Sequence, residues 1–206
     1  MTVVIIDYGS GNLRSAAKAF ERAAGADGPE ICVSDKATDV ARAERIVLPG
    51  VGAFADCKRG VEALPGMRAA LEEAVIEQGK PFLGICMGLQ LMFDESEEGG
   101  KHRGLGMLPG RIVKFPATER VPQIGWNQIA IERSVEILDG VPEGSYFYFV
   151  HSYYVDAADA DRVATTEYGL EYTSIAARDN ALGVQFHPEK SQQIGLRLLR
   201  NFARLG

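Results

Sequence analysis

The stretch Pro81-Phe82-Leu83-Gly84-Ile85-Cys86-Met87-Gly88-Leu89-Gln90 decides how this chain is read. Pro81 to Ile85 is a short apolar run suited to a strand buried on both faces, and it passes through Gly-x-Cys-x-Gly into a helix. Such a sharp strand-to-helix turn holds its central residue in a strained backbone conformation, and side chains at Gly84 or Gly88 would crowd neighbouring elements. Cys86 is then expected to be exposed at a helix start, where the dipole favours thiolate and the Met87 amide faces a developing oxyanion. The bland alternative is a buried cysteine in a glycine-flanked turn, and the motif alone does not separate the two.

Working outward, Gln185-Phe186-His187-Pro188-Glu189 places a histidine and a carboxylate two positions apart beyond a β-type run. A cysteine nucleophile needs a base within hydrogen-bond reach, and the base needs an acceptor that fixes its tautomer. Singly, His187 reads as a satisfied loop histidine and Glu189 as a solvated carboxylate; with the elbow they form a candidate catalytic set of Cys86, His187 and Glu189. His102 falls in the polar loop Glu97 to Gly104 and His151 follows the aromatic run Tyr146 to Val150, so both are weaker candidates. Leu48-Pro49-Gly50-Val51-Gly52-Ala53-Phe54 ends a strand in a turn flexible enough to aim backbone amides at a ligand. The Asp7 to Asn12 loop lacks the Gly-Lys-Ser/Thr ending and the full Gly-x-Gly-x-x-Gly spacing, so no nucleotide is assigned to it.

Around these motifs, Val3 to Ile6 reads as a strand, Leu13 to Ala24 as a helix, Ile46 to Leu48 as a strand and Met67 to Gln78 as an amphipathic helix. That alternation predicts an α/β fold, a three-layer sandwich with a mixed, largely parallel central sheet. From Gly110 on, strand-like runs dominate: Arg111 to Phe115, Gln128 to Ile131, Tyr146 to Val150, Arg162 to Glu167, Tyr172 to Ala177 and Ala181 to Gln185. A last helix, Gln192 to Leu205, should cover the sheet and expose Arg197, Arg200 and Arg204.

The 206 residues, 46% hydrophobic and 24% charged, suit one domain spanning 1–206. A net charge of -6 argues against nucleic acid as a partner. Neither end has a membrane helix's apolar length and Met1 leads into a strand-like run without a signal peptide's charged start, so a cytoplasmic protein is expected. Three cysteines without CxxC spacing indicate neither disulfides nor a metal site; Cys32 and Cys57 read as buried structural thiols.

Gly-x-Cys-x-Gly-x-Gln with the later His-x-Glu resembles the class I, triad-type glutamine amidotransferases over essentially the whole chain. Within the class, the resemblance is closest to the glutaminase subunits that serve imidazole glycerol phosphate synthase. Ile6 to Leu13, Pro49 to Phe54, Gly125-Trp126-Asn127 and Phe149 to Tyr153 carry it. It implies that Cys86 attacks L-glutamine, that amides of Met87, Gly50, Val51 and Gly52 stabilise the oxyanion, and that a γ-glutamyl thioester follows. It also implies that Gln90, Glu98, Ser152 and Tyr153 hold the substrate and that no cofactor is needed. A separate cyclase subunit with a (β/α)-barrel fold, forming a heterodimer, would take the ammonia through a tunnel to make imidazole glycerol phosphate and AICAR in histidine biosynthesis. Because the chain ends soon after the His187 loop, no synthetase domain is expected on it. Pro49 to Phe54 and Gly125 to Asn127 are the candidate partner-facing segments, with the Gly50 to Gly52 peptides either preformed or rearranging on activation. Two readings compete: a stand-alone cysteine hydrolase such as a γ-glutamyl peptidase, and a non-catalytic interaction subunit.

Overall fold

A computed structural model describes residues 1–205, apart from the side chain of Ala160. The first half alternates β1 (Thr2–Ile6), α1 (Leu13–Ala24), β2 (Glu30–Ser34), α2 (Ala37–Arg42), β3 (Arg45–Gly50), α3 (Phe54–Ala63), α4 (Met67–Leu71), β4 (Phe82–Cys86) and α5 (Met87–Leu91). The second half is largely β: β5 (Phe93–Ser96), β6 (His102–Arg103), β7 (Leu108–Lys114), β8 (Gln123–Gln128), β9 (Ala130–Ile131), β10 (Tyr146–His151), β11 (Tyr153–Ala157), β12 (Arg162–Glu167), β13 (Glu171–Arg178) and β14 (Ala181–Val184), before α6 (Gln192–Ala203).

Twelve strands form one mixed sheet in the order β2-β1-β3-β4-β14-β13-β11-β7-β5-β6, with β12 on β13 and β9 on β12. From β2 to β14 the neighbours run parallel. Beyond β14 they are antiparallel except for β5 with β7. β8 and β10 form a separate antiparallel ribbon.

The parallel strands are apolar on both faces because helices cover both. Val3, Ile5, Leu83 and Ile85 join one core with Phe20 of α1 and Phe202 of α6, whose rings meet edge to face at 6.2 Å. Val4, Ile6, Phe82, Ile46 and Leu48 face the opposite way, into a core with Val40 of α2, Phe54, Cys57 and Val61 of α3 and Leu71 of α4. This is the expected three-layer α/β arrangement.

Several local expectations shift. The helix foreseen over Met67 to Gln78 is α4 followed by π-helical backbone at Glu72–Glu77. The run foreseen at Gln128 to Ile131 splits between the end of β8 and the short β9. β5, β6 and β11 were not foreseen: β5 carries exposed Asp94 and Glu95 at its centre, so it has no apolar run to announce it. Cys57 is buried as expected, but Cys32 is only partly so, because β2 is an edge strand. Arg197, Arg200 and Arg204 are exposed on or just after α6. No helix of the described residues is long and apolar enough to cross a membrane.

Candidate functional site

The sheet order places the candidate residues. β4 lies between β3 and β14, both parallel to it, so the loops leaving these three strands emerge side by side at their carboxyl ends, the usual ligand position in an open α/β sheet. Gly50 pairs with Cys86 across β3 and β4, and Val184 with Ile85 across β14 and β4. The nucleophile candidate is therefore flanked by the glycine loop on one side and the His187 loop on the other.

Cys86 has φ 54° and ψ -106°, a conformation that a residue with a side chain adopts only under constraint. The constraint is packing. A Cβ on Gly84 would lie 2.6 Å from the Gly88 carbonyl, and one on Gly88 would lie 1.7 Å from the Leu48 carbonyl oxygen. Only glycines let the strand, turn and helix approach this closely. Two expectations are corrected here. Cys86 is 5% exposed, on the floor of a cavity and not at the surface. α5 has only five residues, so the macrodipole is short and the nearby charge partner is a side chain.

That side chain is His187, which lines the same cavity of about 420 Å³. Its Nδ1 is 2.8 Å from Glu189 Oε1, and both side chains are 1% exposed. Its Nε2 is buried and has no hydrogen-bond partner. Burial disfavours the imidazolium, but the charges of Cys86 and Glu189 outweigh it and raise the pKa to about 10. The nearby Cys86 and the hydrogen-bonded Glu189 thus both favour the cationic form of His187. Its loop is fixed by the His187 amide donating to the Tyr148 carbonyl and by Ser191, whose hydroxyl donates to the His187 carbonyl and accepts from the Tyr148 amide.

His151 lines the cavity too, and its environment excludes it as the base. Nδ1 donates to the Tyr153 carbonyl at 2.8 Å and Nε2 lies 3.2 Å from the Tyr172 hydroxyl, so both nitrogens are engaged. Burial lowers its pKa to about 4, leaving it neutral. His102 does not line the cavity; its ring lies 6.3 Å from Phe54.

The cavity walls bring together several of the residues singled out in the sequence, along with Pro122, Val150 and Lys190. Val51, Gly52, Met87, Gln90, Glu98, Ser152 and Tyr153 all line the cavity, whereas Gly50 does not. Gln90 Nε2 donates to the Tyr153 carbonyl and to Gln185, leaving Oε1 as a buried acceptor without a partner. Glu98 accepts the Phe54 amide at 2.9 Å through Oε2, which ties the wall to the start of α3. A carboxylate such as that of Glu98 in the cavity lining is suited to an ammonium group.

Two neighbours were missed by sequence reasoning. Asn12, 177 positions away, donates through Nδ2 to Glu189 Oε1. Gln185 Nε2 approaches Cys86 Sγ at 3.8 Å; its adjacency to His187 was the one available signal.

With this geometry in hand, the comparisons are decisive. The family model for glutamine amidotransferase class-I matches residues 4–205. The chain belongs to the class-I glutamine amidotransferases. A curated relative from Brucella suis biovar 1 (strain 1330), imidazole glycerol phosphate synthase subunit HisH, is 52% identical, with 99% of each chain covered. The protein of the same description from Agrobacterium fabrum (strain C58) is 51% identical with the same coverage. A solved glutamine amidotransferase superposes with a TM-score of 0.74 at 16% identity, over 98% of this chain and 99% of that one, which supports the amidotransferase fold.

Proposed function

We propose that this chain is the glutaminase subunit of imidazole glycerol phosphate synthase, releasing ammonia from glutamine for a cyclase subunit. The observation that carries the chemistry is the buried, unpartnered Nε2 of His187 in the cavity floored by Cys86, with Nδ1 tied to Glu189. The subfamily rests on half or more of the residues being shared with HisH subunits over nearly the full chain.

In this reading Cys86 attacks the side-chain amide carbon of glutamine. The oxyanion that forms is held by backbone amides of Met87 and of the Gly50 to Gly52 loop. His187, cationic at rest, gives its proton to the departing ammonia and then takes one from the water that hydrolyses the γ-glutamyl thioester. Glu189 holds the ring throughout. Gln90 Oε1 and Glu98 receive the substrate ammonium, with Ser152 and Tyr153 completing the pocket. Glutamate and ammonia leave.

Ammonia passed to a partner must avoid water, so a protein surface should cover the cavity's outlet. Ile124 and Trp126 of β8 and Tyr146 of β10 are 63%, 46% and 54% exposed on one face of the β8–β10 ribbon. Such an apolar patch fits a subunit contact, and we assign it to the (β/α)-barrel cyclase.

The test is steady-state glutamate release by wild type and Cys86→Ala, each alone and with a cyclase of the histidine pathway plus its nucleotide substrate. Strong stimulation by the liganded cyclase, lost in Cys86→Ala, is expected. Equal wild-type activity with and without the cyclase would mean an independent hydrolase. Turnover surviving in Cys86→Ala would remove the nucleophile assignment.

A further inference from the structure

Two buried side-chain amides stand behind the nucleophile, and the mechanism above gives the nearer one no role. Val184 pairs with Ile85 across β14 and β4, so the next residue, Gln185, comes out beside Cys86. Its backbone amide donates to the Ser174 carbonyl of β13 at 2.9 Å; the residue is 0% exposed and forms no part of the cavity lining. Gln90 follows Cys86 one helical turn on, in α5, and is 1% exposed. A buried carboxamide brings N–H donors and a carbonyl acceptor, and each needs a partner.

The partners fix which way both amides point. The Tyr153 carbonyl can only accept, so the atom that Gln90 sets 2.9 Å from it is the nitrogen, Nε2. The same Nε2 lies 3.0 Å from the Gln185 amide, and two donors cannot share that contact, so Gln185 presents Oε1 there. That leaves Gln185 Nε2 to face the Cys86 sulfur, 3.8 Å away. Among the described residues this nitrogen has no other hydrogen-bond acceptor. The Tyr153 carbonyl is itself held, because His151 Nδ1 donates to it at 2.8 Å. A backbone group with a fixed role therefore orients two amides in series, and the series ends in a donor at the nucleophile.

We propose that Gln185 is a second donor to the nucleophile: its carboxamide, oriented through Gln90 by the Tyr153 carbonyl, gives an N–H to the Cys86 sulfur and supports the thiolate beside the His187 cation. This rests on Cys86 as the nucleophile of the glutaminase reading and adds to it a residue outside the Cys-His-Glu set. The other groups near the sulfur do not replace that donor. Tyr8, Cys57 and Tyr172 are pushed to keep their protons, by burial first, and none of them hydrogen-bonds to the sulfur. His151 is neutral, and Glu98 and Lys190, of opposite charge, stand in the cavity lining. The Val150 carbonyl, 3.9 Å from Sγ, can accept from the thiol and offers a thiolate nothing.

A hydrogen bond to the charged form favours that form. Without it the thiolate forms only at higher pH, but the thiolate then formed is more basic and no poorer a nucleophile. Loss of the donor therefore moves the pH profile and spares its plateau. A residue that only fills space would lower the rate at every pH alike.

The experiment follows iodoacetamide alkylation of Cys86 against pH, by mass spectrometry of its peptide, in wild type, Gln185→Met and Gln90→Met. Glutamine kcat/KM is measured against pH for wild type and Gln185→Met, each in complex with the liganded cyclase. Methionine at 185 has a similar length and no donor, so alkylation on the acid limb should fall about three- to tenfold at fixed pH, the scale of one net hydrogen bond. The half-rate point should rise by about half to one pH unit with the plateau within about twofold, and the acid limb of kcat/KM should move with it. Gln90→Met, which releases the amide that orients Gln185, should shift alkylation the same way by less. An unmoved profile in either variant overturns the proposal, and so does an equal fall at every pH. If Gln185→Met does not fold, wild type decides: the Gln185 side-chain amide signal in heteronuclear NMR should follow the pH dependence of Cys86 alkylation, and a signal that stays still overturns the donor. A wild-type complex that releases no glutamate, with the alkylation profiles still apart, would sink the glutaminase reading and leave the donor standing.

Discussion

Two glycine-bearing turns leave adjacent parallel strands, and they are held in opposite ways. In the Gly84 to Gly88 elbow after β4, glycine is required by lack of space: any Cβ there collides with backbone at 2.6 Å or less. In the Gly50 to Gly52 loop after β3, Gly52 faces open space and glycine is required only by its φ of +108°. The nucleophile is thus wedged in place, while the loop opposite it is packed only at Gly50 and beyond that point is tied by hydrogen bonds at its flanks, Cys57 to Val51 and Phe54 to Glu98. A wedge fails by breaking the fold; an aimed loop fails by losing its direction.

The strongest way to break this contrast is Gly88→Ala. The Leu48 carbonyl at 1.7 Å belongs to the backbone of β3 and cannot yield like a flexible side chain. The loss should exceed about 3 kcal/mol, seen as a collapsed midpoint in urea denaturation or as insoluble protein. Near wild-type stability would mean that the elbow is not wedged. Gly52→Ala should behave differently. Forcing an L side chain to this φ costs about 1–3 kcal/mol, and the loop can escape by rotating. We expect a folded protein whose glutamine kcat drops by roughly tenfold or more, on the scale of a mis-aimed oxyanion donor. Unfolding in place of lost turnover would make the two turns equivalent.

The same contrast explains what the sequence could reveal. The elbow was legible because its constraint is local: Gly84, Cys86 and Gly88 are spaced along one segment, and the strand before them is uniformly apolar. His187 and Glu189 were legible for the same reason, two positions apart after an apolar strand. The helix-covered parallel sheet followed from strands such as Val3 to Ile6, apolar at every position. What escaped depends on contacts between distant segments or on elements without a pattern. Asn12 meets Glu189 from 177 positions away, Cys57 reads as one more buried thiol, and β5 and β11 carry polar or mixed residues. Partial exposure of Cys32 follows from strand order, which no local window contains.

A third test concerns the charge at the wedge. His187 is raised above its ordinary value of 6.5 to about 10 despite burial, because Cys86 and Glu189 both favour the cation. Since the folded value lies above the unfolded one, the coupling stabilises the fold in full below about pH 6.5, and the stabilisation is lost as pH rises through about 10. Cys86→Ala removes one of the two supports. The His187 ring, followed by NMR, should then titrate at distinctly lower pH, and the alkaline loss of stability should begin earlier. An unmoved titration would mean that Glu189 alone sustains the charge.

The smallest expected effect belongs to Asn12, and it sharpens the comparison by asking how far the wedge extends. Asparagine is a favoured residue at the start of a helix, because its side chain can satisfy a free backbone amide. Asn12 occupies that place before α1, yet its side chain makes no capping bond. It reaches instead to Glu189 Oε1, the same oxygen that meets His187 Nδ1. Asn12→Ala therefore removes no cap, and the remaining His187–Glu189 contact still fixes the tautomer. Glu189 would lose one of two donors on that oxygen and gain freedom to swing. A fewfold drop in kcat is expected, with KM unchanged and a stability loss no larger than about 1–2 kcal/mol. Steady-state kinetics paired with urea denaturation separates the outcomes. If kcat is untouched while stability falls, Asn12 only ties α1 to the His187 loop, and the wedge around the nucleophile ends at Glu189.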